Sequence, residues 1–426
     1  MFVKNKKFVA NFLFIMALMF IFYHLITASA RANPHIPDLQ AGTAVLMEAE
    51  TGEILYHQAK HRPMEPASTT KIMTALLFIE NTAMREHVTV SENAYGTRGS
   101  SIYLEAGEVI NAKDLLYGVM INSANDGAIA MAEHVAGSEE RFAEIMNRKA
   151  VEIGTQNTYF SNPHGLPHDY HYTSAYDLAM ITREALDHAI FRRVVNTSRT
   201  TIPWPTGQEE ERQLINQNQL LYDYEGAIGV KTGYTSQAGH TFVAAAERDE
   251  LHLIAVVLNT THTRIYEDAR MLLDYGFNNF EMAEIVQPEE TIKITEVPNG
   301  REALKVETRD AIQYPVAKSG SRTWEKEKTL HDLEAPVKAD TQIGTLELLF
   351  DGKSVEAIPL YAKNEVSQTF FSRLWVQIFT GGGLFLVVLL VWKKLSNHKL
   401  RKTNTKYIHS HWRHKSKGLK YRERRF

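Results

Sequence analysis

Apolar and polar positions are patterned differently in successive parts of the chain, and each pattern predicts a different architecture. Between residues 41 and 280, strand-like alternation of period two is interspersed with helical spacing. The segments AVLMEAETGEILY (44–56) and TFVAAAERDELHLIAVVL (241–258) predict hairpins, the first with Thr51 and Gly52 at its turn. The segment DLLYGVMINSANDGAIAMAEHVAG is helical and ends near Gly137. The mixture predicts an α/β (α+β) first domain.

From about residue 287 the helical period stops. Short alternating segments such as TIKITEV, ALKVETR and TQIGTLELLF are separated by turn residues. This pattern predicts a small all-β domain, a β-sandwich over residues 287–368. No internal repeat and no chemical signature is found in it.

The two ends of the chain indicate export and anchoring. MFVKNKKF followed by FLFIMALMFIF and ASARA predicts a signal peptide over residues 1–32, with an uncleaved anchor as the alternative because the apolar run is long. The uncharged segment LWVQIFTGGGLFLVVLLVW predicts a transmembrane anchor over 369–392, with Trp375 and Trp392 at its ends. The tail 393–426 holds thirteen Lys or Arg and one acid, so the positive-inside rule places it in the cytoplasm, near anionic lipid.

Charge and composition narrow the function classes. The 426-residue chain has a formal charge of −3 although its ends are strongly basic, so residues 33–392 carry about −19. An acidic main body argues against nucleic-acid binding. The absence of cysteine excludes disulfides, Cys-ligated zinc and thiol catalysis. A hydrophobic content of 44% permits a full core without cross-links.

The segment PASTTKIMTALL (66–77) contains the first candidate catalytic residues. Pro66 and the apolar run after it indicate a helix start, and Ser68 and Lys71 would share one helix face. One interpretation is a capping serine followed by a solvated lysine. The other is a serine nucleophile whose proton is taken by a neutral lysine, which requires further positive charge nearby to lower the lysine pKa.

Two further clusters favour the second interpretation. INSANDGA (121–128) carries Ser123 and Asn125 at a helix connection, and GAIGVKTGYTSQAGHTF (226–242) predicts a strand carrying Lys231, Thr232 and Gly233. The order Ser-x-x-Lys, Ser-x-Asn, Lys-Thr-Gly resembles the motif set of the penicillin-binding proteins and serine β-lactamases. Each motif alone occurs by chance, whereas the three in order in an exported chain are specific.

The resemblance extends beyond the motifs. SNPHGLPHDYHYTSAYDLAMI (161–181), AVLMEAETGEILY and VKTGYTSQAG resemble the low-molecular-weight D-alanyl-D-alanine carboxypeptidases of the penicillin-binding protein 5 type, serine peptidases that trim peptidoglycan stem peptides. The resemblance covers roughly residues 38–280 and implies a serine transpeptidase/β-lactamase-like catalytic domain over 33–286, with an antiparallel sheet flanked by helices. It also implies a bacterial cell-membrane protein with an extracytoplasmic catalytic domain, while the single span is predicted from the apolar segment itself. Many relatives instead anchor through an amphipathic helix lying on the membrane.

The resemblance implies the following catalytic roles. Ser68 attacks the carbonyl between two terminal D-alanines, and Lys71 takes the serine proton. Lys231 and the helix N-terminus would favour the neutral form of Lys71. Ser123 would relay a proton between the two lysines and the leaving amine.

It implies substrate-binding roles as well. Asn125 would hydrogen-bond the substrate amide, and Lys231 with Thr232 would bind the terminal carboxylate. Gly233 would let the substrate backbone lie against the strand. The backbone N–H groups of Ser68 and Tyr234 would form the oxyanion hole.

Some alternatives stay open at this point. A class A β-lactamase adds a Glu-x-x-Leu-Asn segment, which is not found between Ser123 and Lys231. A DD-endopeptidase would use the same residues, and a penicillin-receptor domain would bind the drug without turnover. The chain's partners are then peptidoglycan stem peptides, β-lactam antibiotics and the cytoplasmic membrane, with no nucleic acid.

Histidines in HGLPHDYH suggest a metal site by their spacing, at His164, His168 and His171. Gly165 and Pro167 would break any helix that brought them onto one face. We therefore expect no metal and no cofactor.

Overall fold

The computed structural model describes residues 36–204, 210–320, 324–350, 352–370, most of 374–396, and Met16. The predicted signal peptide, apart from Met16, and the predicted tail beyond residue 396 lie outside the described residues. The chain divides into two compact units. The first comprises residues 1–284 with 313–322, and the second comprises 285–312 with 323–426.

The first unit mixes helices and strands. Its helices are α1 (Lys71–Asn81), α2 (Ala112–Ile121), α3 (Asn125–Ala136), α4 (Glu139–Ile153), α5 (Ala175–Leu186), α6 (Ala189–Val195), α7 (Leu220–Asp223) and α8 (Arg264–Asn279). Its main strands are β1 (Thr43–Glu48), β2 (Ile54–Gln58), β3 (His87–Thr89), β4 (Val109–Asn111), β5 (Arg199–Pro203), β6 (Glu211–Ile215), β7 (Ala227–Thr235), β8 (Gly239–Arg248) and β9 (Leu251–Thr260).

A five-stranded antiparallel sheet in the order β2-β1-β9-β8-β7 forms the centre of this unit. Both predicted hairpins, β1–β2 and β8–β9, are confirmed. Alternate strand residues belong to two different cores, so that Val243 and Val256 pack with α1–α6 while Phe242 and Val257 pack with α8. Burial on both faces explains why β8 and β9 are almost continuously apolar. Strand β7 lies at the edge of the sheet.

Helix α1 is apolar on every side because it lies inside the helical layer. All residues from Lys71 to Phe78 are buried. The helical segment predicted to end near Gly137, with a helix connection at 121–128, forms two helices, α2 and α3. The break falls at Ser123, which has a positive φ of 62°. Gly137 does end α3, in the left-handed conformation typical of a helix C-terminus.

Apart from the C-terminal helix described below, the described residues of the second unit form strands and loops, as the alternating pattern predicts. The strands from residue 280 onward are β10 (Phe280–Val286), β11 (Thr291–Thr295), β12 (Leu304–Glu307), β13 (Ile312–Ala317), β14 (Trp324–Leu330), β15 (Gln342–Phe350) and β16 (Lys353–Ala362). Five of them form a sheet in the order β11-β12-β16-β15-β14, which covers its own apolar core. Strands β10 and β13 pair with each other, and most of their residues belong to the first unit.

One helix among the described residues, α9 (Gln377–Ser396), is long and apolar enough to cross a membrane. It has 20 residues and a mean hydropathy of 1.7. By length and composition it suggests a membrane anchor near the C-terminus.

Leu76 lies in the middle of α1 and is completely buried. We expect Leu76→Ala to lower the free energy of unfolding by about 2–5 kcal/mol, because the lost side chain leaves a cavity that the packed layers cannot close. Val151→Ala is the matched control, since Val151 on α4 is 76% exposed. Chemical denaturation followed by near-ultraviolet circular dichroism would measure both, and equal effects would contradict the assignment of α1 to the core.

Candidate active site

Ser68 lies in a 3-10 turn, Ala67–Thr70, that leads directly into α1. Helix α1 begins at Lys71 and is preceded by Thr70, which makes no capping bond through its side chain. Ser68 is therefore not the helix cap. The hydroxyl of Thr241, on β8, donates to the carbonyl of Pro66 at 2.9 Å and so ties the turn to the sheet.

The Lys71 ammonium nitrogen is the centre of the polar contacts around Ser68. Lys71 Nζ lies 3.1 Å from Ser68 Oγ, 2.7 Å from Asn125 Oδ1 and 2.7 Å from the carbonyl oxygen of His164. The three partners come from the turn before α1, from the start of α3 and from the 162–166 loop. The predicted proximity of Ser68 and Lys71 on one face is thus observed.

The pKa of Lys71 is well below its ordinary value. The main cause is burial, because the side chain has no exposure to solvent. The charge of Lys231 lowers the pKa of Lys71 further, and the carboxylate of Asp126 opposes the shift. The sequence predicted that Lys231 lowers the pKa of Lys71. It did not predict the larger effect of burial, because the residues around Lys71 in the sequence do not show that its side chain is enclosed.

The three contacts of Lys71 determine where its lone pair points. Asn125 Oδ1 and the His164 carbonyl can only accept hydrogen bonds, so they take the two N–H groups of a neutral amine. The remaining direction faces Ser68 Oγ, whose hydroxyl can donate. In its neutral form Lys71 is therefore oriented to accept the Ser68 proton before any substrate binds.

Asn125 and Asp126 hold the neighbouring loop against this centre. Asn125 Nδ2 donates to the carbonyl of Arg98 at 2.7 Å, and the Asn125 backbone N–H donates to that of Ser100 at 2.7 Å. The buried Asp126 carboxylate accepts from the Ser101 hydroxyl at 2.6 Å and from three backbone N–H groups. Sequence reasoning missed Asp126, although an acid on the apolar start of a helix is a signal for such a role.

Ser123 occupies the break between α2 and α3. It is 5% exposed, and its positive φ of 62° turns the chain so that it lines the same cleft as Ser68. In the described part of the chain its hydroxyl makes no hydrogen bond. Its predicted role as a proton relay stays a prediction.

The edge strand β7 forms the opposite wall and carries the third motif. A Cβ atom at Gly233 would lie 2.8 Å from the backbone nitrogen of Ser68 and 2.5 Å from Thr241 Oγ1. Only glycine fits where the strand approaches the Ser68 turn this closely. Val195 and Asn196 cover the first residues of β7, but Thr232, Gly233 and Tyr234 line the cleft, where an extended peptide could add to the strand edge.

Two side chains of β7 differ sharply in exposure. Lys231 is 3% exposed and burial lowers its pKa to about 7, while its Nζ donates to the Thr232 carbonyl at 3.0 Å. Tyr234 is 60% exposed and its ring lies 4.4 Å from that of His240. Lys231 is therefore an enclosed lysine whose charge acts on Lys71, whereas Tyr234 forms part of the exposed lining of the cleft.

A cleft of about 540 Å³ is lined by five of the predicted site residues, whereas Lys71, Asn125 and Lys231 are buried and do not line it. The five are Ser68, Ser123, Thr232, Gly233 and Tyr234. The other lining residues are serine, glutamine, histidine, isoleucine and tyrosine. None of the lining residues is acidic, although the body of the chain carries a large excess of acids. The cleft therefore suits a ligand that carries negative charge.

Two histidines of the 161–181 segment, His164 and His171, are buried hydrogen-bond partners, whereas His168 is exposed. His171 Nδ1 accepts from the Ser161 backbone N–H at 3.0 Å, so Nε2 carries the proton of the neutral ring and donates to Thr70 Oγ1 at 2.8 Å. Burial lowers the pKa of His171 to about 3, which keeps the ring neutral. Among the described residues, no group of three or more His, Asp or Glu side chains is arranged to hold a metal ion.

Comparison with known proteins agrees with this geometry. The family model described as D-alanyl-D-alanine carboxypeptidase matches residues 29–262, and the one described as the C-terminal domain of penicillin-binding protein 5 matches residues 280–368. Fold and site together define a serine peptidase of the penicillin-binding class. The chain belongs to the D-alanyl-D-alanine carboxypeptidase family.

Individual relatives cover both units. D-alanyl-D-alanine carboxypeptidase DacF of Bacillus subtilis is 34% identical, over 78% of this chain and 87% of its own length. DacC of Escherichia coli is 31% identical, over 84% of this chain and 92% of its own length. The crystal structure of penicillin-binding protein 5 from Haemophilus influenzae superposes with a TM-score of 0.66 at 29% identity, over 79% of this chain and all of that chain.

Gly165 provides a test of how the loop supports the Ser68 turn. Its φ is +87° and a Cβ atom there would lie 1.8 Å from the Ala67 carbonyl oxygen. We expect Gly165→Ala to slow acylation by benzylpenicillin at least tenfold, because the turn must move. Gly154→Ala is the control, since Gly154 has a φ of +90° with nothing within 4 Å. It should cost only the backbone strain of about 1–2 kcal/mol, and equal acylation by the two variants would contradict the steric explanation.

Proposed function

We propose that this protein is a membrane-anchored serine D-Ala-D-Ala carboxypeptidase that removes the terminal D-alanine from peptidoglycan stem pentapeptides through an acyl-enzyme on Ser68. The observation that carries the proposal is the set of three contacts made by the buried Lys71 amine. They leave one direction for its lone pair, and that direction is Ser68 Oγ. The family membership supports the same reaction.

Acylation begins when Ser68 Oγ attacks the carbonyl carbon between the two D-alanines. Lys71 Nζ takes the hydroxyl proton as the new C–O bond forms. The backbone N–H groups of Ser68 and Tyr234 stabilise the negative carbonyl oxygen, and the close approach of Gly233 to the Ser68 nitrogen supports this role. Collapse breaks the C–N bond, and the proton passes through Ser123 to the departing amine of D-alanine.

Deacylation uses the same groups in reverse. Water attacks the ester carbonyl, its proton goes to Lys71, and the Ser68 oxygen leaves with a proton to regenerate the enzyme. A β-lactam enters by the same acylation step. Its opened ring stays attached to the acyl group and blocks the approach of water, so that the adduct persists.

Substrate orientation rests on Asn125 and on β7. Asn125 Nδ2 has two hydrogens, and among the described residues only the Arg98 carbonyl accepts one, so the second is proposed to bind the acyl carbonyl of the substrate. Lys231 and Thr232 bind the terminal carboxylate. The absence of acids from the lining of the cleft supports this electrostatic complementarity.

The proposed location places the catalytic unit outside the bacterial cytoplasmic membrane and the basic tail inside. Helix α9 supports a single C-terminal span. The positive charge of residues 393–426 supports the inward orientation of the tail.

Substitution of the two central residues tests the proposal directly. We expect Ser68→Ala to abolish both D-alanine release and the covalent penicillin adduct, because no nucleophile remains. Lys71→Arg should lower acylation by at least about a thousandfold, since a guanidinium keeps its proton at any accessible pH. Intact-mass spectrometry after benzylpenicillin addition measures the adduct, and Lys149→Arg, remote from the cleft and paired with Glu80, is the control. D-alanine release by the Ser68 variant would overturn the nucleophile assignment.

The persistence of the adduct also separates the related activities. A long-lived adduct with D-alanine release from a pentapeptide is expected for the carboxypeptidase. Rapid loss of the adduct with consumption of the drug would indicate a β-lactamase. Cleavage of cross-linked dimers in preference to pentapeptides would indicate an endopeptidase.

The lowered pKa of Lys231 leads to a prediction about the pH dependence of substrate binding. Its pKa of about 7 means that it is charged below neutral pH and loses its charge above it. The KM for a peptide with a free terminal carboxylate should therefore rise several-fold between pH 6 and pH 9, because the attraction weakens. Steady-state D-alanine release measures this, and Lys231→Arg should flatten the dependence. A KM that falls as the pH rises would contradict the role of Lys231.

A further inference from the structure

The Lys71 contact with the His164 carbonyl depends on a backbone loop that has no motif residue of its own. In the 162–166 loop, Asn162 Oδ1 accepts from the backbone N–H groups of His164 at 3.3 Å and of Gly165 at 2.7 Å. The His164 ring closes the same turn, because its Nδ1 accepts from the Leu166 backbone N–H at 3.1 Å. The ring therefore helps to position its own carbonyl.

The role of His164 Nδ1 as an acceptor requires one tautomer. In a neutral imidazole one nitrogen carries the proton and the other accepts, so the proton must be on Nε2. Burial lowers the pKa of His164 and so favours the neutral ring. If the proton moved to Nδ1, two N–H groups would face each other and the turn would lose the Leu166 bond.

Glu139 faces the nitrogen that must carry the proton. It is the first residue of α4, and its Oε2 lies 3.5 Å from His164 Nε2, an ion-pair distance at the long limit of a hydrogen bond. Its other oxygen accepts from Asn93 Nδ2 at 2.9 Å, which fixes the carboxylate in place. The His164 ring holds the pKa of the Glu139 carboxyl below its ordinary value, so that the group is ionised and can act as an acceptor at neutral pH.

We propose that Glu139 is a positioning residue for the acylation step: it selects the Nε2–H tautomer of His164 and thereby holds the His164 carbonyl against Lys71 Nζ. The carbonyl in turn keeps one N–H of Lys71 directed away from Ser68, so that the lone pair faces the hydroxyl. Glu139 touches neither substrate nor reacting atoms. This inference rests on the proposed function, since it assigns Lys71 as the base.

The test compares Glu139→Gln with Glu139→Leu in the full-length protein in detergent. Glutamine loses the charge but keeps an oxygen that accepts from Nε2–H, whereas leucine has no acceptor. With benzylpenicillin we expect Glu139→Leu to lower the acylation rate constant about tenfold with the non-covalent dissociation constant unchanged within twofold. Glu139→Gln should remain within about threefold of the parent protein.

Glu140 offers the matched control. It is the next residue of the same helix turn and is exposed, and it has no contact with His164 among the described residues. Glu140→Gln and Glu140→Leu should both acylate at the parent rate. A normal rate in Glu139→Leu would overturn the proposal. Equal loss in Glu139→Gln and Glu139→Leu would also overturn it, because charge rather than the hydrogen-bond acceptor would then be responsible.

A second readout does not depend on catalysis. Nitrogen-15 NMR of the histidine rings, with His164 assigned by comparison with His164→Asn, reports which ring nitrogen is protonated. We expect the Nε2–H form in the parent protein and in Glu139→Gln, and a mixture of tautomers in Glu139→Leu. If the parent protein failed to acylate, the proposed function would be refuted, and the tautomer measurement would still test the effect of Glu139 on His164. An unchanged tautomer in Glu139→Leu would refute the role of Glu139.

Discussion

The enclosure of the Lys71 side chain is the constraint on which the rest of the site depends. A lysine removed from water loses the solvation of its charge, so the pKa of Lys71 lies well below its ordinary value and the neutral form that can act as a base is favoured. Enclosure has a second consequence, because every hydrogen of the amine must then find a protein acceptor. The Asn125 amide and the His164 carbonyl supply these acceptors, and by doing so they decide where the lone pair points.

Close backbone contacts make this enclosure possible. Gly233 brings the edge strand against the Ser68 nitrogen, and Gly165 brings the 162–166 loop against the Ala67 carbonyl. Neither position has room for a Cβ atom. The nucleophile turn is therefore held between a strand and a loop by backbone groups, which explains how a serine in a short 3-10 turn is kept in one position without being part of a long helix.

The charge around the cleft differs from that of the rest of the chain. The body of the chain is acidic, yet no acid lines the cleft, and two buried lysines lie behind its walls. The two lysines also interact with each other, since the charge of Lys231 lowers the pKa of Lys71. One buried cation thus favours the neutral form of the other, and the same arrangement attracts an anionic substrate.

The sequence by itself determined the two-unit plan, the β1–β2 and β8–β9 hairpins, the all-β second unit and the identity of the motif residues. These features depend on local periodicity and on side chains with recognisable chemistry. The sequence indicated a helix connection within residues 121–128, but it did not show that Ser123 itself carries the break with a positive φ, because the helical period continues through it. Only the tertiary structure decided which oxygen atoms surround Lys71 Nζ. The His164 carbonyl is 93 residues away in the chain and belongs to the backbone, and a backbone group leaves no mark in the sequence until folding brings it into contact.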